Sequence, residues 1–527
     1  MQKNEKVIDS TYSKYVLIVL LLVYVLNFID RQILAILAED IKNDLGISDA
    51  DLGFLFGTAF AVFYATFGIA LGRLADDWNR KKLIAIGLGF WSLMTALSGI
   101  ARGFLPLALC RFGVGVGEAS ASPAAFSMLY DYFSPKFRTT VLAIYSSGVY
   151  IGAGLGLFLG GTILDAWNST WPASDLAPFG LKGWQATFMI VGLPGLLMAF
   201  WVSTLREPVR GQSDGIDSVS HPTPFREVGI VLLTMLPIIN LWQLNQGANG
   251  RRAIGLNILS VLGIASIVYG LICLTGGVAQ WMALGIGVYT AVSWAQALSV
   301  RDPIVFSMIF KCRTLLYVIV ANSAVTFMGV ALPFWSVPFL QRYYGVSAAE
   351  IGILLGLGTA VMGFFGVVLG GMLADKLRTY TPKGKLYVWL GSITIATLSA
   401  FFFLTVNHLA LSYTGLFTLY FSISMAHGPG VSTINDLVLP RGRGTTTAFA
   451  FMIATFVGIA LGPYVIGYLS DVIVARGVSD GEALRQAMLW SLLLPLIGLV
   501  LVIRALSYVV VDEESLLARA SALGEKI

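Results

Sequence analysis

Four charged residues interrupt long apolar runs in this chain. Asp30 and Arg31 sit about 15 residues into a run near 14–37, roughly 22 Å along its axis if helical. Arg111 and Glu118 sit in a second run near 104–131; seven residues apart, they project from one helix face about two turns apart. Ser122 continues that face at i+4 from Glu118. An ion within such a run costs a few kcal/mol by insertion scales, so each is a functional candidate by default. Burial favours the neutral acid and a nearby guanidinium favours the carboxylate; a proton switch needs that competition. Asp30 and Glu118 are therefore candidate proton-coupling residues, although two Asp–Arg or Glu–Arg pairs could also simply neutralise each other.

The elements that carry these residues are membrane spans. Of 527 residues 57% are apolar and only 12% charged, and the mean hydropathy is +0.79. A soluble domain carries about 25% charged residues, so a soluble enzyme, a nucleic-acid binder and a disordered chain are excluded. Three cysteines and three scattered histidines offer neither a disulfide framework nor a metal site, and no cofactor motif is present. Spans of about 20 residues fall near 14–37, 49–73, 83–102, 104–131, 139–163 and 184–204. Two close-set runs follow at 253–275 and 278–298, and six more near 314–340, 348–374, 385–404, 409–433, 445–470 and 485–510. The expected organisation is an N-terminal six-helix bundle (1–205), a linker with an interfacial helix and an extra hairpin (206–300), and a C-terminal six-helix bundle (301–527).

Charge fixes the expected topology. With both termini cytoplasmic, only Lys42, Arg102, Lys182, Arg342, Arg476 and Arg485 lie outside, and Arg31, Arg111 and Arg504 lie within spans. That leaves 25 of the 34 Lys and Arg inside. A further span at 228–246 would invert the second half against the positive-inside rule, so this stretch is expected as an amphipathic interfacial helix. The first run is too long for a cleavable signal peptide and carries Asp30 and Arg31.

The chain repeats itself. Gly46-Ile47-Ser48 and Gly345-Val346-Ser347 each lead into a span, and those spans end in Gly72-Arg73-Leu74-Ala75-Asp76 and Gly371-Met372-Leu373-Ala374-Asp375, at an offset of 299. Gly152, Gly156, Gly161 and Asp165 recur as Gly458, Gly462, Gly467 and Asp471, at an offset of 306. Both copies begin on one side, so the repeat is parallel, the pattern of a rocker transporter with its site at the midplane. The run from Gly72 through Asp76 to Arg80-Lys81-Lys82 resembles the signature loop between helices 2 and 3 of the major facilitator superfamily, departing from it at Asp77 and Asn79. Asp76, Arg80, Asp131 and Arg138 are the expected gating cluster at the cytoplasmic ends. The fold class is thus an all-α membrane protein of 14 spans, two six-helix bundles plus two extra helices.

The second copy carries no carboxylate at the equivalent sites: Asp30, Arg31 and Glu118 map to Gly329, Val330 and Ile423. Asn27-Phe28-Ile29-Asp30-Arg31 and the run from Arg111 to Ser120 resemble the Spinster family of lipid transporters within that superfamily. The resemblance implies proton-driven, alternating-access movement of lysophospholipids or sphingosine phosphate, with Asp30 and Glu118 as protonation sites and Arg31 as substrate and carboxylate partner. Asn27, Arg111, Ser122, Asn322, Thr326 and His427 are further candidate substrate contacts, and Phe327, Phe334, Trp335 and Phe421 are expected as an apolar wall. The inserted pair 253–298 departs from the 12-helix pattern of the family. A proton-coupled facilitator exporting drugs or organic anions is the alternative. The expected partners are a lysolipid or sphingolipid, protons and the bilayer, for a monomer in a bacterial inner membrane; no nucleic acid is expected.

Overall fold

The computed structural model describes residues 8–172, 176–211, 213, 223–235, 241, 250–439 and 442–522. Among them every regular element is helical. Thirteen helices are long and apolar enough to cross a membrane. They are α1 (Thr11–Ile36), α2 (Asp49–Asp77), α4 (Phe104–Tyr132), α5 (Pro135–Thr170), α6 (Gly183–Ser203), α7 (Gly250–Thr275), α8 (Val278–Arg301), α9 (Arg313–Tyr344), α10 (Ala348–Tyr380), α11 (Gly384–Thr405), α12 (Leu409–Asp436), α13 (Arg443–Val474) and α14 (Asp480–Glu514). A further helix, α3 (Arg80–Ser98), stands between α2 and α4 at the expected span 83–102 and is not among those thirteen; with it the described residues hold fourteen long helices, six then two then six. Of the interfacial stretch expected at 228–246, the residues to 235 lie in a helix, Pro224–Met235, and most of the remainder lies outside the described residues.

The spans start where local chemistry dictates. Ser10 caps α1 by accepting from Ser13 N, and Asn79 caps α3 by accepting from Lys82 N. The repeated Gly-x-Ser motif is a turn followed by a cap. Gly46 and Gly345 take φ of +61° and +70°, which favours glycine. Ser48 Oγ then accepts from Asp51 N at 3.1 Å, and Ser347 Oγ from Glu350 N at 3.2 Å. The helices are also interrupted. In α2 the chain breaks at Gly57 (φ −92°, ψ −86°), and α13 widens into a π-helical segment, Thr455–Leu461, just before Pro463. Outward side chains are apolar: Leu197, Phe200 and Leu274 are each about three-quarters exposed, as lipid contact requires.

Packing gathers the chain into two units. The first contains Met1–Ile47, Ala59–Leu232 and Gly345–Ala360; the second contains Ser48–Thr58, Leu233–Tyr344 and Val361–Ile527. The opening turns of α2 thus pack with the second unit, and those of α10 with the first.

Candidate functional site

In the first unit α4 owes its neighbours to glycine. A Cβ at Gly115 would come within 2.5 Å of Phe60 O in α2, and one at Gly117 within 2.8 Å of Trp91 Cβ in α3. The Val-Gly-Val-Gly run before Glu118 is therefore a surface on which α2 and α3 lie close, and it brings their side chains to the charges. Asp30, Arg111, Glu118 and Asn27 are all buried, at 1–3% exposure. The Arg31 side chain keeps 18% of its exposure, which makes it the accessible charge of the cluster.

Arg31 Nε donates to Glu118 Oε2 at 2.6 Å, across 87 residues of sequence. Its guanidinium lies among three aromatic rings, 4.8 Å from the Phe28 centroid, 4.5 Å from Phe60 and 4.7 Å from Tyr64. Such rings attract a cation through their quadrupoles and hold the guanidinium plane in place. Arg111 Nη1 approaches the backbone oxygen of Asp30 at 3.5 Å, and its guanidinium lies 5.8 Å from Phe60. The Asp30 carboxylate is faced by Arg111, Glu118, Thr95 and Trp91. Asn27 adjoins Glu118. Glu118 Oε1 and Asn27 Oδ1 are both buried and have no hydrogen-bond partner among the described residues. Ser122 lies a turn further on beside Tyr24 and Tyr145, whose rings stack at 4.5 Å. Phe60, Tyr64, Trp91 and Thr95 are the residues that sequence reasoning missed. Their only signal is the glycine face opposite them.

The four residues of the expected gate divide. Arg80 is fully buried and donates to Asp131 at 2.5 Å, to Glu207 at 2.8 Å and to Pro208 O at 2.9 Å. Asp131 also accepts from Gly211 N at 2.9 Å. Arg138 donates to Ser213 Oγ at 2.6 Å and lies over the Tyr130 ring. Asp76 is exposed, with Arg73 and Arg210 as its nearest cations. Burial and the Arg80 charge push the Arg210 guanidinium below its ordinary value, against the pull of Glu207. Glu207 and Arg210, at the end of α6, belong to this network and were missed in the sequence.

In the second unit Thr326 Oγ1 donates to Asn322 O at 2.9 Å and Ser323 Oγ to Ile319 O at 3.0 Å, so both hydroxyls serve their own helix. His427 is exposed on α12. The expected apolar wall needs correction. Phe327, Phe334 and Trp335 are buried packing residues: Phe334 stacks on Phe56 at 4.1 Å, and Trp335 Nε1 donates to Pro463 O at 2.9 Å. Aromatic residues at helical spacing went into the core because the bends of α2 and α13 needed filling.

Thirteen helices of membrane length and hydropathy among the described residues, with α3 standing between α2 and α4 and a buried Arg31–Glu118 pair in the first unit, define a polytopic membrane protein. The Major Facilitator Superfamily model matches residues 20–463, and the chain belongs to that superfamily. It is 28% identical to an MFS-type efflux pump of Mycolicibacterium smegmatis over 461 residues, 86% of this chain and 83% of that one. It is 26% identical to protein spinster homolog 1 of Rattus norvegicus, over 87% of this chain and 73% of that one. Among solved structures it is similar to a bacterial homologue of the human lysosomal transporter Spinster in an inward-facing, unoccupied conformation. There the identity is 25% and the TM-score 0.68, with 97% and 98% of the two chains covered.

Proposed function

We propose that the chain is a proton-coupled transporter of amphipathic lipids with an anionic or zwitterionic head and a single acyl tail, of the lysophospholipid or sphingosine-phosphate kind, moved by alternating access. One observation carries the reading. Glu118 grips Arg31 through one oxygen and leaves the other buried without a partner, beside the unpartnered oxygen of Asn27. Asn27 can meet that oxygen through either end of its amide, as donor to the carboxylate or as acceptor from a proton on Glu118, so the contact survives in both protonation states. Protonation removes the charge that holds Arg31, and a released guanidinium can take a phosphate bidentately where lysine would offer a point charge. Asp30, close to Arg111 and Glu118, is the second protonation site in this reading. Asn322, Thr326 and His427 complete the substrate contacts, and Asp76, Arg80, Asp131 and Arg138 act at the cytoplasmic gate. The protein acts as a monomer in a bacterial inner membrane with both termini cytoplasmic.

The sign of the pH dependence follows. Binding of an anionic head is strongest where Glu118 is protonated and weakens as pH rises through its titration. In proteoliposomes, Arg31→Lys should weaken a lysolipid phosphate about tenfold more than a neutral monoacyl analogue of equal tail length, about 1.4 kcal/mol of head-group recognition. Glu118→Gln should remove most of the pH dependence. Wild-type pH dependence in the Asp30→Asn, Glu118→Gln double variant would rule out both carboxylates. Equal losses for the two lipids would leave Arg31 as a partner of Glu118 alone. The mycobacterial relative's name favours a second reading, export of drugs or organic anions. A cationic drug carried with the lysolipid excluded would establish that instead.

A further inference from the structure

The inserted hairpin α7–α8 touches the rest of the second unit along one line. Tyr289 Oη donates to Asn257 Oδ1 at 3.1 Å and Asn257 Nδ2 to Gln296 Oε1 at 2.7 Å, which tie its two helices together inside the membrane. The most apolar stretch of α7 has no buried residue, and apart from Leu274 O near its end, which accepts from Tyr468 Oη at 3.4 Å, the contacts come from α8. It runs the length of α13. The Trp281 ring meets Tyr464 edge-on at 5.6 Å, and Trp294 stacks on Phe449 at 5.5 Å. Between them Gly287 lies against Phe456, where a Cβ would come within 2.9 Å of the ring.

At the end near Trp281 the contact becomes polar. Gln280 is 1% exposed and its amide meets Thr58, which is fully buried. Thr58 Oγ1 lies 2.6 Å from Gln280 Oε1 and 2.7 Å from Ala460 O, yet has one proton for two acceptors, and Gln280 Nε2 has no partner. Turning the amide over resolves this: Nε2 then donates to Thr58 Oγ1, and the hydroxyl donates to Ala460 O. The chain Gln280–Thr58–Ala460 thereby joins three elements, two of them at their irregular points. Thr58 follows the break of α2 at Gly57, and Ala460 lies in the π-segment of α13. The repeat supplies the control. By the offset of 299 Thr58 corresponds to Leu357, an apolar residue that is 65% exposed.

We propose that the inserted hairpin is a conformational brace. It clamps α2, just past its break, onto the π-segment of α13 through Gln280 and Thr58, and so sets how readily that junction opens. The proposal does not depend on what is carried. Its test uses the full-length protein with Cys110, Cys273 and Cys312 replaced by serine and nitroxides at Ala50 and Arg476, read by pulsed electron–electron distance measurement. A second pair, at Thr170 and Glu350 within the first unit, is the control. Gln280→Leu should raise the open fraction about fivefold, the effect of one net hydrogen bond, and Thr58→Val, which keeps the shape but also removes the bond to Ala460 O, at least as much. The double variant should do no more than Thr58→Val alone, because that variant already removes the bond Gln280 makes. The control pair should not move. Unchanged distributions in Thr58→Val, a double variant that exceeds Thr58→Val by about a further fivefold, or equal movement of the control pair would each overturn the brace. Thr58→Val reads the same bond if Gln280→Leu fails to fold.

Discussion

In the second unit the first turns of α2 lie on α13, with Gly467 beneath Asp49 O and Gly53 beneath Pro463 O. In the first unit the first turns of α10 lie on α5, with Gly161 beneath Ala348 O and Gly352 beneath Leu157 O. Each pair of contacts maps onto the other through the offsets of 299 and 306. The polar chemistry laid over this shared backbone differs. Asp49 is fully buried, accepts from Arg342 through both oxygens at 2.7 Å, and accepts from Ser470 Oγ at 2.8 Å. The equivalents of those three residues are Ala348, Asn43 and Leu164. Glycine at the closest approaches survived in both copies because nothing larger fits. The ion pair and the inserted hairpin lie on one copy, so the two junctions are expected to open at different cost.

The largest expected effect tests that asymmetry directly. Arg342→Ala leaves the Asp49 charge buried without its bidentate partner, which typically costs about 3–5 kcal/mol. Thermal unfolding in detergent should show the loss. Asp49→Ala with Arg342→Met, which imports the first unit's alanine, should recover most of it, since replacing a whole buried pair is often neutral. No recovery would mean that Arg342 has a role beyond Asp49.

A second pair of variants tests what the junctions share. An alanine Cβ at Gly467 would lie 2.2 Å from Asp49 O, and at Gly161 2.3 Å from Ala348 O. Both obstacles are backbone, so each substitution must push the helices apart, at roughly 1–3 kcal/mol as for other overpacked sites. Equal costs measured by unfolding would support a conserved steric frame. A much smaller cost at Gly161 would show that α10 yields where α2 does not.

Much of this frame was legible in the sequence. The spans follow from hydropathy, and the repeat follows from Gly-x-Ser turns and from paired glycines whose roles are local. The charged cluster was legible as a set of residues and opaque as a set of bonds. Asp30 and Arg31 are adjacent in sequence, but neighbours on a helix point about 100° apart, so Arg31 turns to Glu118 on α4 instead. The aromatic rings around Arg31 come from two helices, and phenylalanine or tyrosine in a span carries no mark that separates a cation's neighbour from a lipid contact. The transfer of the first turns of α2 and α10 between units left no trace in periodicity. It depends on which backbone the glycines allow to come close.

The smallest expected difference concerns the carboxylates at the helix starts. Asp471 accepts from Asp49 N at 3.0 Å and Ala50 N at 2.8 Å, whereas its repeat partner Asp165 accepts from Ala349 N at 2.8 Å. The first N–H groups of a helix have no acceptor within it, and its positive end favours a negative charge. Losing such a cap costs about 1 kcal/mol, so Asp165→Ala should speed exchange of the amides at the start of α10 about fivefold. Asp471→Ala should do at least as much at the start of α2 wherever Arg342 and Ser470 no longer hold Asp49, and less while they do. Asp→Asn at either site keeps an acceptor and loses only the charge, worth about 0.3–1 kcal/mol at a helix end. Hydrogen-exchange mass spectrometry on the two segments reads all three. A larger response to Asp471→Ala than to Asp165→Ala with the ion pair intact would place the strength of the α2 junction in its cap, and not in the Asp49–Arg342 pair.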